Sequence, residues 1–150
     1  MKVFMQIFLM FFCSACAPIP HFITKSPKVS GTVTINGAPL SGVRVLITHE
    51  LNDESCGMAA NSSITDASGH FELKRIREFR FFTTMGDHIY SIKLCIIKNG
   101  NTYVGYTDEG IGYPPNSIKL KCRLNADSRF IDKNMSGVDI EKLAVCTIDK

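Results

Sequence analysis

Short segments in which apolar and polar residues alternate restrict the fold of this chain more than any other feature. In Ser117–Leu124 every second residue from Ile118 onward is apolar, and lysine or arginine fills the positions between. Residues 28–35 and 43–49 repeat this period of two. Because successive side chains of a β-strand point to opposite faces, such segments predict strands that bury one face. The sequence therefore predicts an all-β protein.

Turn signals separate the alternating segments. Asn36-Gly37 and Asn99-Gly100 each lie between two of them, and Asn-Gly is the strongest short-range hairpin signal. Residues 66–69, which read Asp-Ala-Ser-Gly, form a third predicted turn. We expect an antiparallel β-sandwich of about seven strands. The predicted strands are residues 28–35, 43–49, 62–65, 70–74, 89–98, 102–107 and 117–124.

Three segments lie outside this pattern. Residues 75–86 are rich in arginine and phenylalanine and are expected to cross irregularly between strands. Residues 110–116 contain glycines and prolines and are expected to form a loop. Near the C-terminus, Ser136 is a suitable N-cap for a short helix with Ile140 and Leu143 on one side.

The N-terminus has the layout of an export signal. Lys2 precedes a largely apolar run over residues 3–12, and the small residues Ser14 and Ala15 follow. The run is about half of the roughly 20 residues that a helix needs to cross a bilayer. Residues 1–15 are therefore predicted to be a cleaved signal peptide.

The residues after the apolar run predict a lipid anchor. Residues 13–16, Cys-Ser-Ala-Cys, resemble the bacterial lipobox except that Cys13 stands where leucine is usual. Cleavage would expose Cys16 for lipidation and leave residues 16–27, with three prolines, as an extended tether. The alternative, an ordinary secretory cut, would place Pro18 directly after the cut bond. The predicted location is the bacterial cell envelope, on a membrane facing the periplasm, or free in the periplasm if Cys16 carries no lipid.

Four cysteines remain for the folded part: Cys56, Cys95, Cys122 and Cys146. In an oxidising periplasm they allow two disulfides, and the alternative is four buried free thiols. Alternation places Cys122 on the core face of its strand, whereas Cys95 shares the other face with Lys93. A Cys95–Cys122 bond is therefore disfavoured, and of the three connectivities that the sequence alone cannot separate we prefer Cys56 with Cys95 and Cys122 with Cys146. The spacing of the cysteines and histidines indicates no metal site, and no cofactor is expected.

Two groups of residues are candidates for binding. The first comprises Arg75, Arg77, Phe79 and Arg80. Arginine and aromatic side chains dominate binding hot spots, but the favoured interpretation is that the phenylalanines fill the core and the arginines cover its rim. The second comprises Tyr103, Tyr106 and Tyr113. Its alternative is a tyrosine-covered strand edge followed by an ordinary loop.

Three motifs between residues 29 and 73 form one unit. Residues 29–33 read Val-Ser-Gly-Thr-Val, residues 36–45 read Asn-Gly-Ala-Pro-Leu-Ser-Gly-Val-Arg-Val, and residues 65–71 read Thr-Asp-Ala-Ser-Gly-His-Phe. This unit resembles the carboxypeptidase regulatory-like domain, a transthyretin-like module of bacterial surface and secreted proteins. The resemblance implies a prealbumin-like or immunoglobulin-like sandwich over residues 28–150 that serves in folding or interaction.

The resemblance also bears on catalysis. Transthyretin-like 5-hydroxyisourate hydrolases use histidines, arginines and a C-terminal Tyr-Arg-Gly-Ser tail, whereas this chain ends Cys-Thr-Ile-Asp-Lys. His49 and His70 are expected near strand ends at the surface, and no nucleophile, base and orienting group can be assembled around them. We therefore expect no enzyme activity.

The expected function is protein binding by a lipid-anchored envelope protein, and neutralising a delivered toxin, as immunity proteins do, is one form of it. The alternative is a carbohydrate-binding or peptidoglycan-binding accessory module, suggested by the tyrosines. A hydrolase acting through His49 or His70 is a third hypothesis. No nucleic-acid partner is expected, because a net charge of +3 with 21% charged residues is ordinary for a globular protein.

Overall fold

The computed structural model describes residues 20–49, 56–82, 86–125, 128 and 144–149. These residues form eleven strands in three sheets, and no helix. The strands are β1 (His21–Ser26), β2 (Lys28–Ile35), β3 (Ala38–Pro39), β4 (Arg44–Thr48), β5 (Asn61–Ile64), β6 (His70–Leu73), β7 (Ile76–Arg80), β8 (Ile89–Lys98), β9 (Asn101–Ile111), β10 (Ser117–Leu124) and β11 (Cys146–Ile148). The all-β prediction is confirmed, with more strands than expected. The helix predicted after Ser136 lies outside the described residues.

A five-stranded sheet is built around β2. Its order is β11, β10, β2, β3, and β6 also pairs with β2. The alternation predicted for β10 is confirmed, since its residues are exposed and buried in turn. β10 runs parallel to β2, which departs from the antiparallel arrangement predicted. Parallel neighbours need a long crossover connection, and the whole four-stranded sheet lies between these two strands in the sequence.

A four-stranded antiparallel sheet has the order β5, β4, β8, β9. The hairpin between β8 and β9 turns at Asn99-Gly100, whose φ angles of 51° and 81° suit a tight turn of two left-handed residues. β9 runs on to Ile111, which pairs with Ile89 at the start of β8. Residues 110–116 are therefore not entirely loop, because the ladder uses the full length of β8.

The turn at Asn36-Gly37 is present, but its second strand is not the predicted one. The chain returns as β3, whose two residues pair with the end of β2. Pro39 has no N–H with which to continue the ladder, and Gly42 then turns the chain with a φ of 73°. β4 consequently lies in the four-stranded sheet, so the expectation that residues 43–49 complete this hairpin is wrong.

β1 and β7 form a two-stranded sheet, here called the ribbon, that continues the pairing of β2 with β6. Val29 faces Leu73 in β2 and β6, and Ser26 faces Ile76 in the ribbon. The register shifts between Thr24 and Ser26, which leaves Lys25 as the extra residue of a β-bulge. Two segments predicted to be a tether and an irregular crossing, residues 16–27 and 75–86, are thus partly β-strand.

One hydrophobic core contains residues of both larger sheets. Val33, Phe71 and Leu120 contribute from the five-stranded sheet, and Val45 and Ile96 contribute from the four-stranded sheet. Burying an aliphatic or aromatic side chain of this size contributes about 1.5–3 kcal/mol relative to leaving it exposed. The shared core therefore holds the two sheets together.

Two disulfides are present, Cys56–Cys95 and Cys122–Cys146, in the pairing that we prefer from the sequence. Cys122 and Cys146 belong to the shared core. Cys56 and Cys95 pack instead with Leu46 in a second, smaller cluster. Because Cys95 lies between two core residues of β8, this second cluster occupies the opposite face of the four-stranded sheet.

Candidate functional site

An open cleft of about 150 Å³ lies between the ribbon and the start of β8. One wall is formed by β1 with Ile23, Thr24 and Lys25. The other lining residues are His49, His88, Ile89, Tyr90, Ser91, Gly112 and Tyr113. None of the lining residues is acidic, and most carry a donor group. The cleft is therefore a polar concavity with one cationic side chain.

Lys25 is the bulged residue of β1, and it lines the cleft with Ile23. A bulge leaves one residue without a partner in the ladder and turns its side chain to a new direction. The Lys25 ammonium lies 3.2 Å from a Glu78 carboxylate oxygen on β7, and the Arg80 guanidinium lies 3.3 Å from the other oxygen. The hydrogen bond from Lys25 lowers the pKa of Glu78 below its usual value. Two cations thus share one carboxylate at this wall.

His49 follows β4 and is half-buried at the cleft. Burial lowers the pKa of its imidazole, and the nearby Lys25 ammonium lowers it further. The imidazole is therefore neutral near pH 7. The Ser91 hydroxyl donates a hydrogen bond to the backbone carbonyl of His49 at 2.6 Å rather than to its ring. This geometry positions the chain and does not activate the serine as a nucleophile.

Acidification is expected to destabilise the fold through His49. Its pKa in the folded state lies below the value of about 6.5 for an unperturbed histidine, so the unfolded state binds more protons. The resulting stability is fully present above about pH 6.5 and is lost as the pH falls below it. Urea unfolding between about pH 7.5 and pH 5.5 measures this slope. His49→Gln should flatten it, and a full slope in His49→Gln would contradict the assignment.

An exposed apolar group lies at the open end of the β8 and β9 hairpin. Ile89 and Ile111 pair across the strands and are 80% and 76% exposed, and Tyr113 follows them at 57%. The Tyr113 ring lies 5.1 Å from the His88 ring, measured between centroids. We call His88, Ile89, Ile111 and Tyr113 the hairpin patch. It borders the cleft, since three of its four residues also line it.

A second exposed apolar group is formed by the phenylalanines of the ribbon and its C-terminal end. Phe22, Phe79, Phe81 and Phe82 are between 52% and 69% exposed. The Phe22 and Phe79 rings pack edge to face across the two strands with centroids 5.3 Å apart. The rings of the consecutive residues Phe81 and Phe82 also pack edge to face, with centroids 5.3 Å apart. The prediction that the phenylalanines of residues 79–82 fill the core is therefore wrong, because β7 lies in a sheet of only two strands.

The predicted arginine group does not act as one cluster. Arg77 faces Thr24 next to the Phe22 and Phe79 pair, whereas Arg80 contacts Glu78. Arg75 lies before β7, and its guanidinium donates to the Asn116 carbonyl oxygen at 2.8 Å. Arg75 therefore ties the ribbon to the loop before β10, and Arg77 is the arginine that accompanies the exposed rings.

The predicted tyrosine group is also divided. Tyr103 and Tyr106 are partly buried and pack against the shared core, whereas Tyr113 lies in the hairpin patch. The first two share a face although they are three positions apart, because the β8 and β9 register shifts at Leu94 and leaves Gly105 as an extra residue. A period of two cannot reveal such a bulge.

The remaining predicted site residue, Cys16, lies outside the described residues. In the described ranges, no group of three or more histidine, cysteine or acidic side chains is arranged to hold a metal ion. No helix of that part is long and apolar enough to span a bilayer. Sequence reasoning did not single out Lys25, His88, Ile89 or Ile111, since each owes its place to strand pairing.

Comparison with known proteins gives one family. The family model described as "Domain of unknown function (DUF6795)" matches residues 29–127, about two thirds of the chain. No curated protein matches the chain significantly. The matched residues include the cleft wall on β8 and the hairpin patch, whereas β1 precedes them.

Proposed function

The chain belongs to this family of unknown function, and we propose that it is a non-catalytic, lipid-anchored envelope protein that binds another protein. The observation that carries the proposal is the hairpin patch beside the polar cleft. A pocket bordered by exposed isoleucine and tyrosine side chains has the composition of a binding hot spot, with an apolar centre and polar groups around it. Its partner would cover the patch and place a polar side chain in the cleft.

The exposure of Ile89 and Ile111 supports binding at this patch. Two large aliphatic side chains opposite each other on neighbouring strands would normally pack beneath another layer of the protein. Contiguous apolar surface that stays exposed is typical of interaction sites. Tyr113 adds an aromatic ring with a hydroxyl group, the kind of side chain that interfaces favour.

Two further parts of the proposal extend beyond this surface. A lipid on Cys16 would hold the protein at a membrane, because each buried methylene contributes about 0.8 kcal/mol and a lipoprotein carries several acyl chains. A transthyretin-like sandwich of the carboxypeptidase regulatory-like kind would provide a rigid support for the patch. The core shared by the two larger sheets supports this fold, as do the turns of the resembling motifs at Asn36-Gly37 and residues 66–69.

Co-purification of the full-length protein from membranes is expected to recover one stoichiometric protein partner. Replacing Ile89 and Ile111 together by alanine should weaken that partner's binding by about tenfold or more, since hot-spot side chains typically contribute at least 1–2 kcal/mol. Affinity for the isolated partner can be measured by titration calorimetry. Ile64→Ala is the matched control, because Ile64 is an exposed isoleucine of the same sheet outside the patch.

Consistent absence of a stoichiometric partner would count against the proposal. An unchanged affinity in the double variant would remove the hairpin patch from it. Equal losses in the double variant and in Ile64→Ala would show an effect that does not depend on the patch. Neutralisation of a toxin is the form of binding to test first if the neighbouring gene encodes a large secreted toxin.

A second function, binding of carbohydrate or peptidoglycan, is favoured by the arrangement of Tyr113 over the cleft. An exposed aromatic ring beside hydrogen-bonding groups suits a ligand with one apolar face and several hydroxyl groups. Retention on purified cell-wall material that is lost in Tyr113→Ala and kept in Ile111→Ala would support this function instead. Ile111, which does not line the cleft, therefore discriminates between the two partners.

A further inference from the structure

We propose that the outer face of the ribbon lies against the membrane that carries the protein, with its phenylalanine rings in the interfacial region of the bilayer. The proposal rests on the membrane anchorage proposed above. It assigns the ribbon to a lipid surface and leaves the hairpin patch to the protein partner. Three observations carry it: the exposed rings, the charge of the ribbon, and the length of chain between the ribbon and Cys16.

The outer face of the ribbon is aromatic. Phe22 and Phe79 pair across the two strands, and their neighbours on that face are Thr24 and Arg77. The opposite face carries Ile23, which is buried. Phe81 and Phe82 extend the exposed rings beyond the end of β7. Phenylalanine side chains beside arginine or lysine are the composition of protein surfaces that lie in the plane of a membrane interface.

The ribbon is cationic. Its two strands carry Lys25, Arg77 and Arg80 but only one carboxylate, Glu78. Lys25 and Arg80 both contact that carboxylate, and Arg77 lies on the outer face with the rings. Cationic side chains next to an anionic leaflet are attracted to its surface potential. Of these cations Arg77 is the one on the ring-bearing face, and it is the charge that complements an anionic lipid surface beside the rings, whereas Lys25 lines the cleft on the other side of the ribbon.

The covalent chain keeps the ribbon close to the anchor. Phe22 is the sixth residue after Cys16, and a fully extended chain of that length spans at most about 22 Å. A lipid on Cys16 therefore brings Phe22 to within that distance of the hydrocarbon boundary. An uncut apolar run over residues 3–12 would bring the membrane to the same side of the protein. This proximity favours a lipid surface over a protein partner for the ribbon.

A single tryptophan provides the test, because the chain contains none. Phe79→Trp in the full-length lipidated protein, reconstituted into vesicles of phosphatidylethanolamine and phosphatidylglycerol, is expected to emit at shorter wavelength than Ile148→Trp in the same vesicles, although the two positions are similarly exposed in the protein. Lipids with brominated acyl chains should quench that emission by about twofold or more, since the ring would lie at the interface. Ile148→Trp, at an exposed position of β11, is the matched control and should not be quenched.

Each outcome bears on a different part of the proposal. Equal quenching of Phe79→Trp and Ile148→Trp, or no quenching of either in protein that floats with the vesicles, would overturn the membrane contact and leave the anchor intact. Protein that does not float with vesicles would contradict the anchor itself. If Phe79→Trp is not quenched and Phe79→Ala loses the stoichiometric partner, the ribbon is a protein-binding surface instead.

Arg77→Glu should reduce the quenching of Phe79→Trp in vesicles that contain phosphatidylglycerol and not in vesicles of phosphatidylcholine alone.

Discussion

Alanine at position 69 is expected to lower the free energy of unfolding by about 2–5 kcal/mol, the combined cost of left-handed backbone and overpacking. Gly69 has a φ of 74°, and a methyl group there would lie 2.4 Å from the Val33 carbonyl oxygen. The two backbones cannot move apart freely, because the Val33 N–H donates to the Gly69 carbonyl oxygen at 2.8 Å. Chemical denaturation of Gly69→Ala and of the unchanged protein measures the difference.

Substitutions at two other glycines measure the cost of the left-handed backbone and the cost of the steric contact separately. Gly37 has a φ of 85° with open space around it, so Gly37→Ala should cost only the left-handed conformation, about 1–2 kcal/mol. At Gly31, whose φ is not left-handed, an added methyl group would lie 2.3 Å from the Leu120 carbonyl oxygen, so Gly31→Ala tests the steric effect alone. Gly69→Ala should exceed Gly37→Ala. Equal losses of unfolding free energy in these two variants would show that the close approach to the Val33 carbonyl does not add to the cost at position 69.

The turns were predictable because their causes are local. Asp66 accepts hydrogen bonds through one carboxylate oxygen from the Ser68 N–H, the Ser68 hydroxyl and the His70 N–H. These hydrogen bonds, the one from the Ser68 hydroxyl above all, also lower the pKa of Asp66. A carboxylate that closes a turn on its own neighbours needs no distant partner. Residue types and spacing within four positions therefore suffice to place such a turn.

Strand partners were less predictable because they depend on distant residues. The Asn36-Gly37 turn was correctly located, but the sequence does not show that β4 leaves β2 for the other sheet. Lys25 illustrates the same limit: its bulge exists only because β1 pairs with the distant strand β7, from His21 opposite Arg80 to Ser26 opposite Ile76. Alternation predicts which residues share a face and says nothing about which sheet that face covers.

The candidate sites show the same contrast between features with local causes and features that depend on distant residues. Alternation places Cys95 and Cys122 on different faces and so disfavours a bond between them, but it does not by itself choose between the two connectivities that remain. The exposure of Phe79 was not predictable, because an apolar side chain in a strand is usually buried and only the two-stranded ribbon leaves it uncovered. The cleft was missed for a related reason. Lys25, His49 and Tyr113 come from distant segments, and each alone is an ordinary surface residue.

Removing the Cys122–Cys146 disulfide is expected to have the other large effect. Replacing both cysteines by alanine should lower the free energy of unfolding by about 3–4 kcal/mol, the loop-closure value for a bond that joins residues this far apart. The sequence separation is 24 residues. The bond also fills space in the shared core, where the Cys146 sulfur lies against Gly105. Guanidinium unfolding of the double variant measures the loss.

The same replacement should release the C-terminal strand before the rest of the protein unfolds. β11 has only three residues. Beside its pairing with β10, this end of the chain is held by three backbone hydrogen bonds: from the Val145 N–H to Val104, from the Arg123 N–H to Val145 and from the Asp149 N–H to Lys119. So few backbone bonds cannot keep a short edge strand in place once the covalent link is gone. Hydrogen exchange at the Val145 and Asp149 amides should therefore accelerate in the double variant.

The other disulfide provides the matched control. Cys56→Ala with Cys95→Ala opens a bond over 39 residues, for which loop closure predicts a loss of similar size, about 4 kcal/mol. That bond lies on the far side of the four-stranded sheet and does not touch β11. Exchange at Val145 should then follow global unfolding only. For each variant, the exchange rate at the Val145 amide is compared with the rate that its global unfolding predicts. If exchange exceeds that rate equally in both variants, the Cys122–Cys146 bond does not hold the C-terminal strand.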